Sequence, residues 1–465
     1  MSDSYDVIVI GAGPGGYVCA IRAAQLGLRT AVADKEWLGG VCLNVGCIPS
    51  KSLLKNAEVA ELLRHRSKDF GFSFDNLKLD FGAAVKRSRQ VSDRLTKGVG
   101  FLMKKNNIDV HFGAAIIKSK SAVEITDRDG QRKILESKHI VIATGARPSL
   151  IPGVAADGQK VLTYREAILQ EKLPASAIII GGGAIGVEFA TVWNAYGCKV
   201  TVVEMLPTLV PREDEEIAAE LGRQFGKAGI AVKTGTKVEE LDASGDGVKV
   251  KINGPAGVET LVAEQALVAI GFKPNSENLG LEALGVQVER GFIQVDDRMQ
   301  TNVPGIWAIG DVTGKFMLAH VASAQGIVCA ESMANHPTVK LDYAAMPAAT
   351  YSHPQVASFG LTEKQAREKG HDVKIARFNF QANGKALGLG EAQGFVKIVT
   401  DSRYDEIIGA HLIGPEVTEL LPELTLAQSA ELTIEEIARN VHAHPSLSEV
   451  IMEAAHGLTG GYIHS

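Results

Sequence analysis

Cysteine is scarce: five residues in a chain of 465 cannot build the disulfide framework of a secreted domain. Long apolar runs are missing too. None reaches the ~18 residues of a membrane span, and the longest candidate, around Ile178 to Val187, is broken by glycine and closed by Glu188. Neither charge dominates, since 48 basic and 54 acidic residues leave a net of -6, so neither a nucleic-acid nor a membrane partner is expected. Met1 to Asp6 lack a cationic n-region, and the apolar run behind them stops at Gly11. A signal or transit peptide is therefore not expected, and the chain reads as cytoplasmic.

What is present in excess is glycine, 49 residues or about a tenth of the chain, against a usual ~7%. Hydrophobic residues at 45% and charged ones at 22% describe a globular protein, and the length suits about three domains. The glycines have an address in an internal repeat. Val7 to Ile10 reads as a buried strand leading into Gly11-Ala12-Gly13-Pro14-Gly15-Gly16, with a helix-length run from Tyr17 to Leu26 and a second strand, Arg29 to Ala33, that ends at Asp34. The order recurs in the strand Ala177 to Ile180, the turn Gly181 to Gly186, the helix Val187 to Tyr196, the strand Lys199 to Val203 and the closing Glu204. In both copies the acid stands 23 positions after the first glycine.

One GxGxxG is weak, but two of them, each between a strand and a helix and each with its acid near the expected offset, predict two dinucleotide-binding βαβ units. The glycines let the backbone approach a pyrophosphate at a helix N-terminus, and the carboxylate accepts from an adenosine ribose. Each unit closes with a strand running into glycine, His139 to Ala143 into Gly145 and Ala266 to Ile270 into Gly271. The first copy is longer by about 44 residues, which fall after Asp34 and include Cys42 and Cys47. Further on, Gly305 to Ile309 with Asp311 and the helical stretch Ala319 to Met333 read as a return to the first domain. Strands at Phe395 to Val399 and Ile407 to Ile413, then helices at Glu416 to Leu432 and Ile434 to Asn440, suggest a third, α+β domain.

Cys42 and Cys47 lie five apart, about 140° round an ideal helix, so they meet only where the backbone winds irregularly. Gly46 and Pro49 permit that. A small, accessible, reducible disulfide is what dithiol exchange requires, and a helix starting nearby helps to lower a thiol pKa. No metal site is expected, because Cys19, Cys198 and Cys329 lack paired ligand spacing and read as core thiols. Near the C-terminus, His442, His444 and Glu449 offer a base with a carboxylate beside it. Ser446 and Glu449 equally have capping-box spacing, and spacing leaves both roles open.

The combination of GAGPGG, GGVCLNVGCIPSK, GGGAIGVE, AIGD and HAHPSLSE resembles the flavin-dependent disulfide reductases, class I pyridine nucleotide-disulfide oxidoreductases, and within them the branch acting on dihydrolipoyl groups. The match follows the whole chain in order. It implies an α/β fold with two Rossmann-like dinucleotide-binding domains and a C-terminal α+β dimerisation domain: FAD-binding residues 1–148, completed by 272–342, NAD-binding residues 149–271, and interface residues 343–465. It also implies a homodimer in which the third domain supplies its histidine to the neighbouring subunit's disulfide.

On that resemblance Cys42 is the interchange thiol, Cys47 the thiol beside the flavin, His444 the base and Glu449 its orienting partner. Gly11, Gly13, Gly16 and Asp34 hold the FAD adenosine and pyrophosphate, with Gly145 at the end of the return strand, Asp311 on the ribityl chain and Ala319 near the ring. Lys51 and Glu188 match an ion pair near the flavin. Gly181, Gly183, Gly186 and Glu204 hold NAD, with Gly271 closing that unit, and His320 is structural. The implied reaction is oxidation of dihydrolipoamide by NAD+, on lipoyl domains of acyltransferase or glycine cleavage complexes. Two rivals remain: a family member acting on glutathione-like disulfides or mercuric ion, and a non-catalytic NAD-binding scaffold. Glu204 disfavours NADPH, since a carboxylate repels a 2'-phosphate and Met205 to Val210 contain no arginine.

Overall fold

The structure is a computed structural model and describes residues 3–464. It divides into two compact units, one formed by residues 3–52, 82–149 and 271–343, the other by 53–81, 150–270 and 344–464. At the centre of the first unit is the strand Asp3–Ile10, paired in parallel with Thr30–Asp34 on one side and Arg132–Ile142 on the other. Asp109–Phe112 and Ile306–Ala308 extend the sheet outward. Successive side chains of a strand point to opposite faces. Ile8 and Ile10 accordingly enter one buried cluster, while Val7 and Val9 enter another. Both faces are covered, which is why the run is apolar without alternation. The helix expected from Tyr17 begins earlier, spanning Pro14–Gln25, because proline at the first turn lacks only an N–H that needs no partner there.

The second unit repeats the plan. Ser176–Ile180 lies between Lys199–Val203 and Gln265–Val268, with Ala231–Lys233 and Val161–Leu162 outermost. The repeat extends further than the motifs alone reveal. In each copy the third strand is followed by a three-stranded antiparallel meander that returns to the sheet. In the first copy the last meander strand and the return strand are one, Arg132–Ile142; in the second they are Gly257–Ala263 and Gln265–Val268, divided at Glu264. Asp34 and Asp109 are 75 positions apart, whereas Glu204 and Ala231 are 27 apart. That extra length carries the helices Gly40–Val45 and Cys47–Glu61.

The second unit also holds a five-stranded antiparallel sheet, ordered Ala348–Thr350, Gln355–Gly360, Glu406–Gly414, Phe395–Asp401, Val373–Asn379. The helices Val417–Ser429, Ile434–Arg439 and Glu449–Thr459 bury their apolar faces with this sheet in a common core. Thr433 and Glu436 form the capping box that their spacing predicts. The chain is thus an α/β protein with two Rossmann-like dinucleotide-binding folds and a C-terminal α+β domain. No helix among the described residues is long and apolar enough to cross a membrane.

One buried lysine ties that C-terminal sheet to the helix Glu215–Lys227. Lys397, on the strand Phe395–Asp401, places its ammonium 3.1 Å from Asp214, 2.7 Å from Glu216 and 3.0 Å from Glu363, with its side chain only 2% exposed. Burial works against the charge, but Glu216, Glu363 and Asp214 outweigh it and hold the lysine pKa above its ordinary value. Removing the cation leaves three carboxylates facing one another. Lys397→Met is expected to cost about 3–5 kcal/mol, read as a lower urea midpoint; an unchanged midpoint would refute this account.

Candidate active site

Both glycine turns have the same atomic construction. Gly11 N–H donates to Ala33 O at 2.7 Å and Gly181 N–H to Val203 O at 2.8 Å. Gly11 and Gly181 have φ of +106° and +112°, a region that side chains with a Cβ rarely adopt. At Gly16 and Gly186 an added Cβ would collide with the carbonyl oxygens of Gly11 and Gly181. By contrast, a Cβ at Gly13 or Gly183 would meet nothing within 4 Å. Each helix N-terminus therefore opens onto free space where an anion can approach its N–H groups.

The acids close both turns. Asp34 accepts from Ala12 N at 2.7 Å with one oxygen, and from Glu36 N and Trp37 N at 2.8 and 3.0 Å with the other. Glu204 accepts from Gly182 N and Leu206 N, each at 2.7 Å. These bonds fix each carboxylate at the end of its second strand, where it can meet a ribose. In the first unit, Asn275 links the return strand's exit to the later segment: its side chain donates to Thr144 O at 2.9 Å, and its N–H to Gly145 O at 2.9 Å. Gly271, expected to close the second repeat, lies in the first unit and accepts from Ser149 N at 2.9 Å.

Asp311 sits in the turn Gly310–Thr313, and Ala319 begins the helix Ala319–Met333. Burial alone pushes the Asp311 carboxyl up to about 6 from 3.8. A half-buried carboxyl raised in this way is suited to hydroxyl donors from a bound group. Because its folded pKa is raised, the group favours the folded state below about pH 4, and that contribution is lost as pH rises through about 6. The difference is worth about 3 kcal/mol at most. In protein stripped of flavin, Asp311→Asn is expected to abolish this part of the stability loss between pH 4 and 7, measured by urea unfolding at both pH values. Parallel pH profiles for parent and variant would contradict it.

The Cys42–Cys47 segment is attached to the first turn. Gly39 N–H donates to Ala12 O at 2.8 Å, and a Cβ on Gly40 would lie 2.6 Å from Gly13 Cα. The helix Gly40–Val45 ends at Gly46, and a second helix starts at Cys47. This single-residue break is the irregular winding that the spacing requires. At Gly46 a Cβ would sit 2.9 Å from Val41 O, so only glycine lets the two helices meet so closely. Both cysteines stand as free thiols, with their side chains hydrogen-bonded.

The bond to Cys47 and then burial push the Cys42 thiol up, against a smaller opposing effect of Lys51. The expected lowering therefore does not apply to Cys42. Cys47 begins the second helix. Asn44, between them, was not singled out from the sequence. Its side-chain N–H groups donate to Leu38 O and Gly40 O at 2.9 Å each, while Arg89 donates to its carbonyl and Thr96 to its side-chain oxygen. Cys19, Cys198 and Cys329 are buried, as core thiols should be.

The two C-terminal histidines differ sharply. His442 is 3% exposed, with Nδ1 at 2.9 Å from Asn440 O and Nε2 at 3.0 Å from Glu423. Both partners accept, so both nitrogens donate, and Glu423 raises the pKa despite burial. His444 is 79% exposed, and its one hydrogen bond among the described residues joins Nδ1 to Glu449 Oε1 at 2.8 Å. A carboxylate only accepts, so Nδ1 carries the hydrogen and Nε2 is left as a free acceptor. The other oxygen of Glu449 accepts from Ser446 N at 2.8 Å. Glu449 thus makes a contact of each kind that spacing left open, one to His444 and one to the Ser446 N–H, although only half of the capping box forms, because the helix begins at Glu449 itself.

Lys51 lies in the first turns of the helix Cys47–Glu61, and Glu188 is buried in the helix Ala184–Ala195, where it accepts from Tyr351 N at 2.9 Å. His320 is exposed at the start of its helix.

Comparison with known proteins covers the whole chain. Residues 5–326 match the pyridine nucleotide-disulphide oxidoreductase model, and residues 346–455 match that family's dimerisation domain. The dihydrolipoyl dehydrogenase of Mycobacterium leprae is 50% identical over 99% of both chains, and that of Corynebacterium glutamicum is 48% identical over 100% of both. Among solved structures, LpdA from Mycobacterium tuberculosis superposes with a TM-score of 0.90 at 28% identity, over 97% of this chain and 99% of that one. The HOCl-induced flavoprotein disulfide reductase RclA from Escherichia coli, as its Cu(II) complex, gives 0.87 at 26% identity, over 98% of this chain and 99% of that one.

Proposed function

This chain belongs to the pyridine nucleotide-disulphide oxidoreductase family, and from that premise we propose that it is a dihydrolipoyl dehydrogenase, oxidising protein-bound dihydrolipoamide with NAD+. The observation that carries this reading is the Cys42–Cys47 pair, hydrogen-bonded and fastened to the first dinucleotide turn through Gly39 and Gly40. The chain uses FAD and NAD, which when bound supply the two-electron relay from the dithiol to nicotinamide. Gly11, Gly13, Gly16 and Asp34, with Lys51, Gly145, Glu188, Asp311 and Ala319, are assigned to FAD. Gly181, Gly183, Gly186 and Glu204, with Gly271, are assigned to NAD.

In the substrate half-reaction, His444 Nε2 takes a proton from one dihydrolipoyl thiol, and the thiolate attacks Cys42 Sγ of the oxidised pair. The Cys42–Cys47 bond breaks and Cys47 leaves as thiolate. The second lipoyl thiol gives up its proton and attacks the lipoyl sulfur of the mixed disulfide, closing the lipoyl ring and expelling Cys42, which takes up a proton. The lipoyl group has lost two electrons and the cysteine pair has gained them. Cys42 is the sulfur that retains a proton and Cys47 the one that carries charge, in line with the direction of the Cys42 shift. Glu449 fixes His444 with Nε2 outward.

The family's dimerisation domain makes the protein a homodimer. In this reading each subunit lends His444 to its partner's Cys42, and the enzyme works in the cytoplasm on lipoyl domains of acyltransferase or glycine cleavage complexes. The decisive assay is steady-state turnover of dihydrolipoamide with NAD+ and, separately, with NADP+. Ping-pong kinetics are expected, and a preference for NAD+, because a carboxylate at Glu204 repels a 2'-phosphate in this assignment. NADPH-dependent reduction of glutathione disulfide without dihydrolipoamide turnover would overturn the reading.

A further inference from the structure

The helix Phe81–Lys105 spans 25 residues, and the reaction above uses none of its outer face. Its inner face is fully engaged. Ser88, Ser92, Val99 and Met103 are buried, Arg89 and Thr96 reach Asn44, and Gly100 lies against Leu38. The helix therefore overlies the segment that carries Cys42.

The outer face is mostly cationic. At 100° per residue, Lys86, Arg87, Arg94, Lys97, Lys104 and Lys105 fall within an arc of about 100° and run for about 28 Å. All six are exposed, and the one acid in the helix, Asp93, is exposed about 20° outside the Lys86 and Lys104 edge of that arc. Arg94, Lys97, Lys104 and Lys105 make no ion pair among the described residues. Phe101, in the middle of the stripe, is 65% exposed. In a chain of net charge -6, such a stripe is a local departure. Solvated helix faces ordinarily alternate their charges, because like charges three or four residues apart repel.

We propose that this cationic stripe docks an acidic surface of the protein that carries the dihydrolipoyl group, bringing its thiols to Cys42. The proposal rests on the function assigned above. The rest of a net acidic surface repels an acidic carrier, so the stripe both steers the encounter and selects its orientation. Free dihydrolipoamide is uncharged and makes no use of it.

The test compares holoenzyme with the double variants Arg94→Glu/Lys97→Glu and Lys104→Glu/Lys105→Glu, on free dihydrolipoamide and on the reduced, isolated lipoyl domain of a 2-oxoacid dehydrogenase acyltransferase. With the domain, kcat/KM is expected to fall about tenfold or more in each, mainly through KM, and to lose its salt dependence. With free dihydrolipoamide it should stay within about twofold. Neutral Arg94→Gln/Lys97→Gln should fall between, and light scattering should report the parent's dimer. Equal losses on both substrates, or none on the domain, would overturn the proposal, as would loss of nucleic-acid binding alone. If the parent turned over neither substrate, the functional assignment would fail instead.

Discussion

Cys42→Ser is expected to abolish NAD+-linked oxidation of dihydrolipoamide, lowering kcat on the order of a thousandfold or more. A serine oxygen cannot form the mixed disulfide, and Cys47 is left without the sulfur it pairs with, while Cys19 and Cys329 are buried. The same variant should still bind flavin and pass electrons from NADH to an artificial acceptor, because neither glycine turn is touched. This pairing separates loss of chemistry from loss of fold. The measurement is turnover of dihydrolipoamide and of a diaphorase acceptor on one preparation. Full dihydrolipoamide activity in Cys42→Ser would dismiss the dithiol mechanism, whereas loss of both activities would point to misfolding and require the milder Cys42→Ala.

His444→Gln comes second, with an expected fall in kcat of about 10²–10⁴-fold, the contribution of a positioned general base. Its orienting contact makes a further distinction. Glu449→Gln keeps an acceptor for Nδ1 but removes the charge, so its effect should be smaller and should alter the pH profile. His442→Gln should leave the pH profile alone, because both of its nitrogens already donate inside the protein. Placement of the base across the dimer has its own test. Mixed dimers of Cys42→Ser and His444→Gln subunits contain one site with both groups intact if the histidine comes from the partner, and none if it comes from the same subunit. Regained turnover on mixing is expected. Its absence, with subunit exchange verified, would locate the base within one subunit.

Several features could be read before any fold was in view, because they are local. Each glycine turn, its helix and its acid lie within 23 residues, and the chemistry of phosphate binding dictates residue types at fixed offsets. The helix Ala319–Met333 and the capping box at Thr433 are legible for the same reason. The break between Cys42 and Cys47 follows from helical geometry and a glycine. Where the reading slipped by a few residues, as at Pro14 or Asp3, the cause was a turn residue that the fold tolerates or a strand that continues past its apolar core.

Other features depend on contacts between segments far apart in the chain. His442 and His444 have the same side chain, two residues apart, and no pattern separates them. Tertiary structure does, by placing Glu423 of the helix Val417–Ser429 against one and leaving the other exposed. Arg89 and Thr96 reach Asn44 from about fifty residues away, and Lys397 reaches Asp214 across 183. The sequence by itself determined which chemistry is present: two dinucleotide turns, one close cysteine pair and a C-terminal histidine beside a carboxylate. Only the tertiary structure decided which histidine keeps a free nitrogen, that Cys47 and burial push the Cys42 thiol up, and which helix overlies the cysteine segment. Turns and periodicities are written in neighbouring residues, whereas burial and hydrogen bonding are settled by whatever the folded chain brings alongside.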